Sequence, residues 1–187
     1  MRIVGGKHKG RPLDAPKGRD TRPTSDRARE AMFNVLAHLP DAPGLHGAHV
    51  IDVFAGTGAL GLEALSRGAA FATFVENHRA AQKTIQANIQ TLDEGAQTQL
   101  LPIKAQTLPP AQTPVDYAFL DAPYEKNLTV PALETLIGQD WLKPAAIVMV
   151  EIAAEEDFVA PDQLTVIKDK TYGAAKVLFL RNCSDTL

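Results

Sequence analysis

Asp52-Val53-Phe54-Ala55-Gly56-Thr57-Gly58-Ala59-Leu60-Gly61 leaves a short apolar run, residues 49–54, and enters a helical pattern, residues 60–67, that Gly68 ends. A plain turn needs one glycine, and this loop has three, Gly56, Gly58 and Gly61. Glycines let the backbone approach a ligand and aim free N–H groups at it. A strand–glycine loop–helix unit of this kind belongs to an open α/β sheet, where ligands sit at the carboxyl ends of the strands.

Outward from the loop, strand-like and helical runs alternate. Strands are predicted at residues 71–75, 99–103, 117–120 and 145–152, and helices at 79–92 and 130–137. Residues 145–152 are the most apolar run, expected near the sheet centre. Two runs, 164–168 and 176–181, follow with only turn residues Tyr172 and Gly173 between them, which predicts a closing antiparallel pair. The alternation predicts a doubly wound, mostly parallel sheet covered on both faces. Upstream, residues 26–39 read as an amphipathic helix with Ala28, Met32, Val35, Leu36 and Leu39 on one face and Pro40 at its end. Arg27 and Arg29 on this helix read either as solvated face or as cofactor and phosphate contacts. The chain therefore divides into residues 1–40, a basic hairpin and helix, and residues 41–187, the body.

The glycines also satisfy Gly-x-Gly-x-x-Gly, with Glu76 twenty residues after Gly56, so they do not choose between nucleotide cofactors. Asp52 does. A dinucleotide would put pyrophosphate at the mouth of the loop, against this carboxylate. S-adenosylmethionine has no phosphate and carries a sulfonium and an ammonium. Asp52, Glu76 and Asp121 all end near one sheet edge, and three carboxylates suit a cationic ligand. Glu76 accepts from ribose hydroxyls in either case.

Asp121-Ala122-Pro123-Tyr124 ends the fourth strand at the same edge. An exocyclic amine on a base is a poor nucleophile, because its lone pair is delocalised into the ring. Two acceptors, Asp121 Oδ and the Ala122 carbonyl fixed by Pro123, can pull on its hydrogens and turn the lone pair toward a methyl group. Tyr124 can stack on the base, worth roughly 1–3 kcal/mol. A carboxylate only accepts, and guanine offers adjacent N1–H and N2–H donors, so Asp121 leans toward guanine N2. Cytosine N4 or an amide can also donate to it.

Composition sets the frame. The 187 residues are 45% hydrophobic and 22% charged, values of an ordinary globular domain, which excludes collagen, coiled coil and a disordered chain. The single Cys183 permits no internal disulfide and fits a reducing compartment. No run is apolar enough to span a membrane, and the first residues lack a signal peptide's apolar core, so a cytoplasmic protein is expected. The five histidines show no metal-ligand spacing, and no metal is expected. The net charge of −3 hides an asymmetry: residues 1–30 hold 9 Lys/Arg against 4 Asp/Glu, net +5, and the remainder is net −8. A basic arm on an acidic body points to phosphate binding, and Gly5, Gly6 and Gly10 make it read as a glycine-turned β-hairpin.

These residues together resemble the RsmD family, bacterial 16S rRNA guanine-N2 methyltransferases of the class I S-adenosylmethionine fold. Met1-Arg2-Ile3-Val4-Gly5-Gly6-Lys7 resembles the family's opening hairpin. Arg22-Pro23-Thr24-Ser25-Asp26-Arg27-Ala28-Arg29-Glu30 resembles its Arg-Pro-Thr-Thr-Asp-Arg-x-Arg-Glu signature. Residues 52–68, Phe74-Val75-Glu76 and Tyr172-Gly173 also fit. The resemblance implies a Rossmann-like, seven-stranded sheet with an antiparallel closing strand, plus a short N-terminal β-hairpin arm. It implies cofactor contacts at Asp52, Phe54, Ala55, Gly56, Gly58, Glu76, Asn77 and Asp121, with Thr24 over the methionine end. Asp121, Ala122, Pro123 and Tyr124 would hold the target base, and Arg2, Lys7, Lys9, Arg11, Arg22 and Arg27 would contact rRNA phosphate. The implied substrate is 16S rRNA within an assembling or assembled small ribosomal subunit, met by a monomer. The chain departs from the family twice. Ala122 replaces the first proline of Asp-Pro-Pro-Tyr, and Lys104-Ala105-Gln106 stands where many class I enzymes have an Asp or Asn that reads the adenine amine. Backbone groups of Ala105 or the Gln106 amide would serve there.

Other readings of the same residues are methyl transfer to another nucleic-acid or protein amine, a non-catalytic adenosylmethionine-binding assembly factor, and a dinucleotide oxidoreductase. The basic arm disfavours a protein acceptor, and Asp52 disfavours the oxidoreductase.

Overall fold

The computed structural model describes residues 1–15, 25–123 and 127–184 of the chain. Seven strands form one sheet: β1 (His49–Val53), β2 (Phe71–Val75), β3 (Thr98–Leu101), β4 (Val115–Asp121), β5 (Leu142–Ala153), β6 (Leu164–Tyr172) and β7 (Ala175–Asn182). Their order is β3-β2-β1-β4-β5-β7-β6, with β7 running antiparallel to both its neighbours and the other pairs parallel. The predicted doubly wound sheet and closing antiparallel pair are both present. Four α-helices are described: α1 (Asp26–Leu36), α2 (Ala59–Ser66), α3 (Arg79–Leu92) and α4 (Thr129–Gly138).

The period-2 alternation of the strands splits the core in two. Val50, Phe74, Tyr117, Phe119, Met149 and Phe179 face one layer, which holds α1, α2, α3 and the arm. Ile51, Val53, Val75, Leu120, Val148 and Leu180 face the other, which holds α4, Trp141 and the segment between β3 and β4. Among the described residues that segment carries only a 3₁₀ turn, Ala105–Thr107, because prolines at 102, 109, 110 and 114 interrupt any longer helix. Trp141 is core packing, its Nε1 donating to the Pro109 carbonyl at 2.9 Å.

The arm is bound to this frame as a short antiparallel loop. Ile3 N–H donates to the Arg11 carbonyl (3.0 Å), Gly10 N–H to Ile3 (2.8 Å) and Leu13 N–H to Met1 (3.0 Å). The expected hairpin is thus reduced to an isolated bridge between Arg2 and Pro12, since Pro12 has no N–H to extend a ladder. Ile3 and Leu13 are buried in the same cluster as Met32, Phe33 and Leu36 of α1. Gly6 is required by contact, because a Cβ there would lie 1.8 Å from the Ser66 carbonyl oxygen at the end of α2.

Ser25 caps α1, its hydroxyl accepting from Ala28 N–H at 3.1 Å. Arg29 corrects both sequence expectations, for it is fully buried rather than solvated or offered to phosphate. Its guanidinium donates to Asp26 Oδ1 (2.9 Å) and to the Arg2 carbonyl, and its Nε lies 3.7 Å from Glu63 Oε2. Glu63, also fully buried, accepts from Val4 N–H (2.8 Å) and from Arg67 Nε (2.7 Å). Burial works to raise the Asp26 carboxyl, yet the Arg2 N–H and the Arg29 guanidinium hold it below the usual range. These charges fasten arm and α1 to the helix that follows the glycine loop.

Removing one partner of a buried ion pair leaves an uncompensated charge, at a cost of about 3–5 kcal/mol. Glu63→Ala is therefore expected to lower Tm by roughly 6–20 °C for a chain of this size. A thermal melt followed by circular dichroism checks this, and an unchanged melt would contradict it.

Candidate active site

β1 lies between β2 and β4, so the carboxyl ends of these three strands bring Asp52, Glu76 and Asp121 to one edge. In register, Val53 pairs with Val75 on one side and Leu120 on the other. The glycine loop runs from β1 to α2 across this edge. Its start is set by Phe54, which adopts a left-handed φ of 61°, and by Ala55, whose N–H donates to Val75 (3.1 Å) and whose carbonyl accepts from Gly58 N–H (2.7 Å).

Two carboxylates shape the loop. Asp52 is 2% exposed and accepts from Gly61 N–H at 2.9 Å. Gly61 has no room for a side chain, since a Cβ would sit 2.4 Å from Phe74 Cε1. Glu76 is 6% exposed; its Oε2 accepts from Gly56 N–H (2.9 Å) and its Oε1 from His78 N–H (2.8 Å). Gln82 Nε2 donates to the Glu76 carbonyl at 2.8 Å. Burial pushes the Asp52 carboxyl well above the usual range; the Gly61 N–H opposes this, and the nearby charges of Asp121 and Glu76 add to it. Such a cluster repels pyrophosphate and gains from a cationic ligand.

The remaining sequence-predicted residues fall as follows. Asp121 is half-buried at the end of β4, in register with Glu151 of β5; Ala122 is buried and Pro123 exposed. Gly56 and Gly58 are in the loop, Asn77 is exposed just beyond Glu76, and Ala105 is buried in the 3₁₀ turn after β3. The turn's neighbour Gln106 has a buried Nε2 with no hydrogen-bond partner among the described residues. Thr24, Arg22 and Tyr124 lie outside the described residues.

The arm cations are not equivalent. Arg2 pairs with Asp26 (3.3 Å), Lys7 with the buried Glu94 (2.7 Å), and Arg11 donates to the Thr91 carbonyl (2.6 Å). Lys9 and Arg27 are exposed and have no ionic partner among the described residues. No three His, Cys, Asp or Glu side chains among the described residues group to hold a metal, and no helix there is long and apolar enough to cross a membrane.

Sequence reading missed Asn88. It lies on α3 among the buried apolar residues Ala81, Ile85, Ile89 and Leu92, and is 1% exposed. A polar amide inside an apolar stripe was the available signal.

An aspartate raised by burial favours the folded state while it is protonated, and that contribution is lost as pH rises through its folded-state value. Ionising Asp52 therefore costs the ligand-free protein stability. Asp52→Asn is expected to raise Tm by a few degrees at pH 7, with the gain vanishing below about pH 4, where the unfolded aspartate is also protonated. The same variant is expected to bind S-adenosylmethionine more weakly. Melts across pH, paired with calorimetric titration, check both.

Comparison with known proteins identifies the family. The family model described as "Conserved hypothetical protein 95" matches residues 1–181. "Ribosomal RNA small subunit methyltransferase D" of Haemophilus influenzae is 35% identical over 187 residues, 97% of this chain and 94% of that protein. The Escherichia coli K12 protein of the same name is 36% identical, covering 92% of this chain and 85% of its own. The solved structure "Putative methyltransferase yhhF from Escherichia coli" superposes with a TM-score of 0.85 at 34% identity, covering 99% of both chains. The chain belongs to the Conserved hypothetical protein 95 family, on the class I methyltransferase fold.

Proposed function

We propose that this chain transfers the methyl group of S-adenosylmethionine to the exocyclic N2 of a guanine in 16S rRNA. The observation that carries it is the convergence of Asp52, Glu76 and Asp121 on one sheet edge, with Asp121 continuing into Ala122 and Pro123. Relatives named as small-subunit rRNA methyltransferases over nearly the full chain support the substrate class.

When bound, S-adenosylmethionine supplies an electrophilic methyl on a cationic sulfur. Asp52, itself fixed by the Gly61 N–H, orients that ligand by charge, and Glu76, already holding Gly56 in place, has lone pairs left for ribose hydroxyls. Asp121 and the Ala122 carbonyl accept the two N2 hydrogens, localising the lone pair on nitrogen. Asp121 is the base placed to take the proton that N2 sheds as the N–C bond forms. Fixed alignment of amine and methyl supplies most of the acceleration. The target base must be unstacked to reach a sheet edge. Tyr124 is the proposed stacking partner, and Thr24 the proposed cover over the methionine end.

Residues 1–40 are the proposed RNA-facing lid. Lys9 and Arg27 carry the largest share of phosphate contact, with Arg22, because Arg2, Lys7 and Arg11 are drawn into intramolecular pairs. So short a basic surface favours a preformed substrate, the assembling or assembled small subunit, met by a cytoplasmic monomer.

Labelled methyl transfer to small subunits and to naked 16S rRNA from a strain lacking the family's enzyme tests the function. N2-methylguanosine is the expected product, formed faster on subunits, and Asp121→Ala is expected to lower the rate by about 100-fold or more. Transfer to no guanine N2, with the cofactor bound, would contradict the proposal. For the arm, Lys9→Ala and Arg27→Ala are each expected to weaken subunit binding and reduce the slope of log K against log salt by about 1. Arg11→Ala is expected to change that slope less.

A further inference from the structure

We propose that Asn88 is a positioning residue that couples the N-terminal arm to the cofactor loop, so that filling the loop and ordering the arm favour each other. Its amide touches both. Asn88 Nδ2 donates to the Thr57 carbonyl at 2.9 Å, between Gly56 and Gly58 of the loop. The same nitrogen donates to the Asp14 carbonyl at 3.1 Å, and Oδ1 accepts from Asp14 N–H at 2.8 Å. An amide has two donor hydrogens, and both are committed here, one to each segment. With Asn88 buried, water cannot replace a lost partner, so the loop and the arm cannot shift independently without orphaning a polar atom.

A second contact runs the same way, the Thr57 hydroxyl lying 3.5 Å from the Met1 sulfur. Thr57 is thus gripped from the arm side through its own side chain and through Asn88, while Glu76 holds the preceding Gly56 from the sheet side. Asp14 in turn precedes the basic signature carrying Arg22 and Thr24 in sequence. A ligand that fixes the loop's backbone fixes the Thr57 carbonyl, hence the Asn88 amide, hence the end of the arm. By linkage the effect is reciprocal, and RNA held by the arm would tighten cofactor binding by the same factor.

The inference rests on reading the glycine loop as the cofactor site. The test is amide hydrogen exchange of the full chain with and without saturating S-adenosylhomocysteine, read at Ile3, Gly10, Leu13 and Asp14, alongside calorimetric titration of that ligand. Wild-type protein is expected to show exchange at these amides slowed by about 10-fold on ligand binding, within the usual range of coupling between sites. In Asn88→Ala the ligand is still expected to bind, with the slowing lost. Asn88→Asp keeps the acceptor for Asp14 N–H, lacks both donors, and is expected to behave alike if the alanine variant does not fold. A merely structural asparagine would lower Tm and leave the ligand-dependent slowing intact, and that result would overturn the proposal. So would wild-type arm amides indifferent to bound ligand. Failure of wild-type protein to bind the ligand at all would instead overturn the cofactor reading, and the coupling with it.

Discussion

A buried carboxylate accepting one backbone N–H, Asp52 to Gly61, is the constraint on which the rest of the site depends. It fixes where the glycine loop turns into α2, and it requires that residue 61 carry no side chain, so that Phe74 can close over the loop. The cost is an aspartate held out of water beside two other carboxylates. Such an arrangement is unfavourable for an empty fold and favourable for one that receives a cation. The site is therefore a place where stability is given up for binding.

The arm extends the same logic outward. It packs on the α1–α3 face of the sheet, the face toward which Asp52 and Phe74 point, rather than standing off as a charged tail. Glu63, Ser66, Asn88 and Glu94 reach it from α2, α3 and the turn after α3. Several of its cations are consumed in this fastening. The basic charge seen in the sequence is thus partly structural, and only a subset remains to meet phosphate.

Much of this was legible in the sequence, and the exceptions have physical causes. Residues 71–75 and 79–92 match β2 and α3 as found, because strong periodicity coincided with clear ends. The first helix stops at Leu36 rather than Leu39, since its last turn tightens with His38 N–H donating to Val35. β5 starts at Leu142, three residues before the apolar run. Pro144 and a left-handed Ala145 hide a register shift there, in which Leu142 pairs with Val115 and Ile147 with Tyr117. The run 145–152 belongs to β5, an interior strand, while β4 is the middle strand of the seven. β6 continues through Asp169, Lys170 and Thr171 to Tyr172, polar residues suited to an exposed edge and invisible to an apolar pattern. The three carboxylates could be placed on one edge from strand order alone. The burial of Arg29 could not, because its partner Glu63 lies on another helix.

The claim that this edge is built for a cationic, phosphate-free ligand is tested most directly by calorimetric titration of the chain with S-adenosylmethionine and, separately, with NADH. Saturable one-site binding of S-adenosylmethionine, with no saturable heat from NADH, is the predicted result. Tight NADH binding without S-adenosylmethionine binding would contradict the account at its centre.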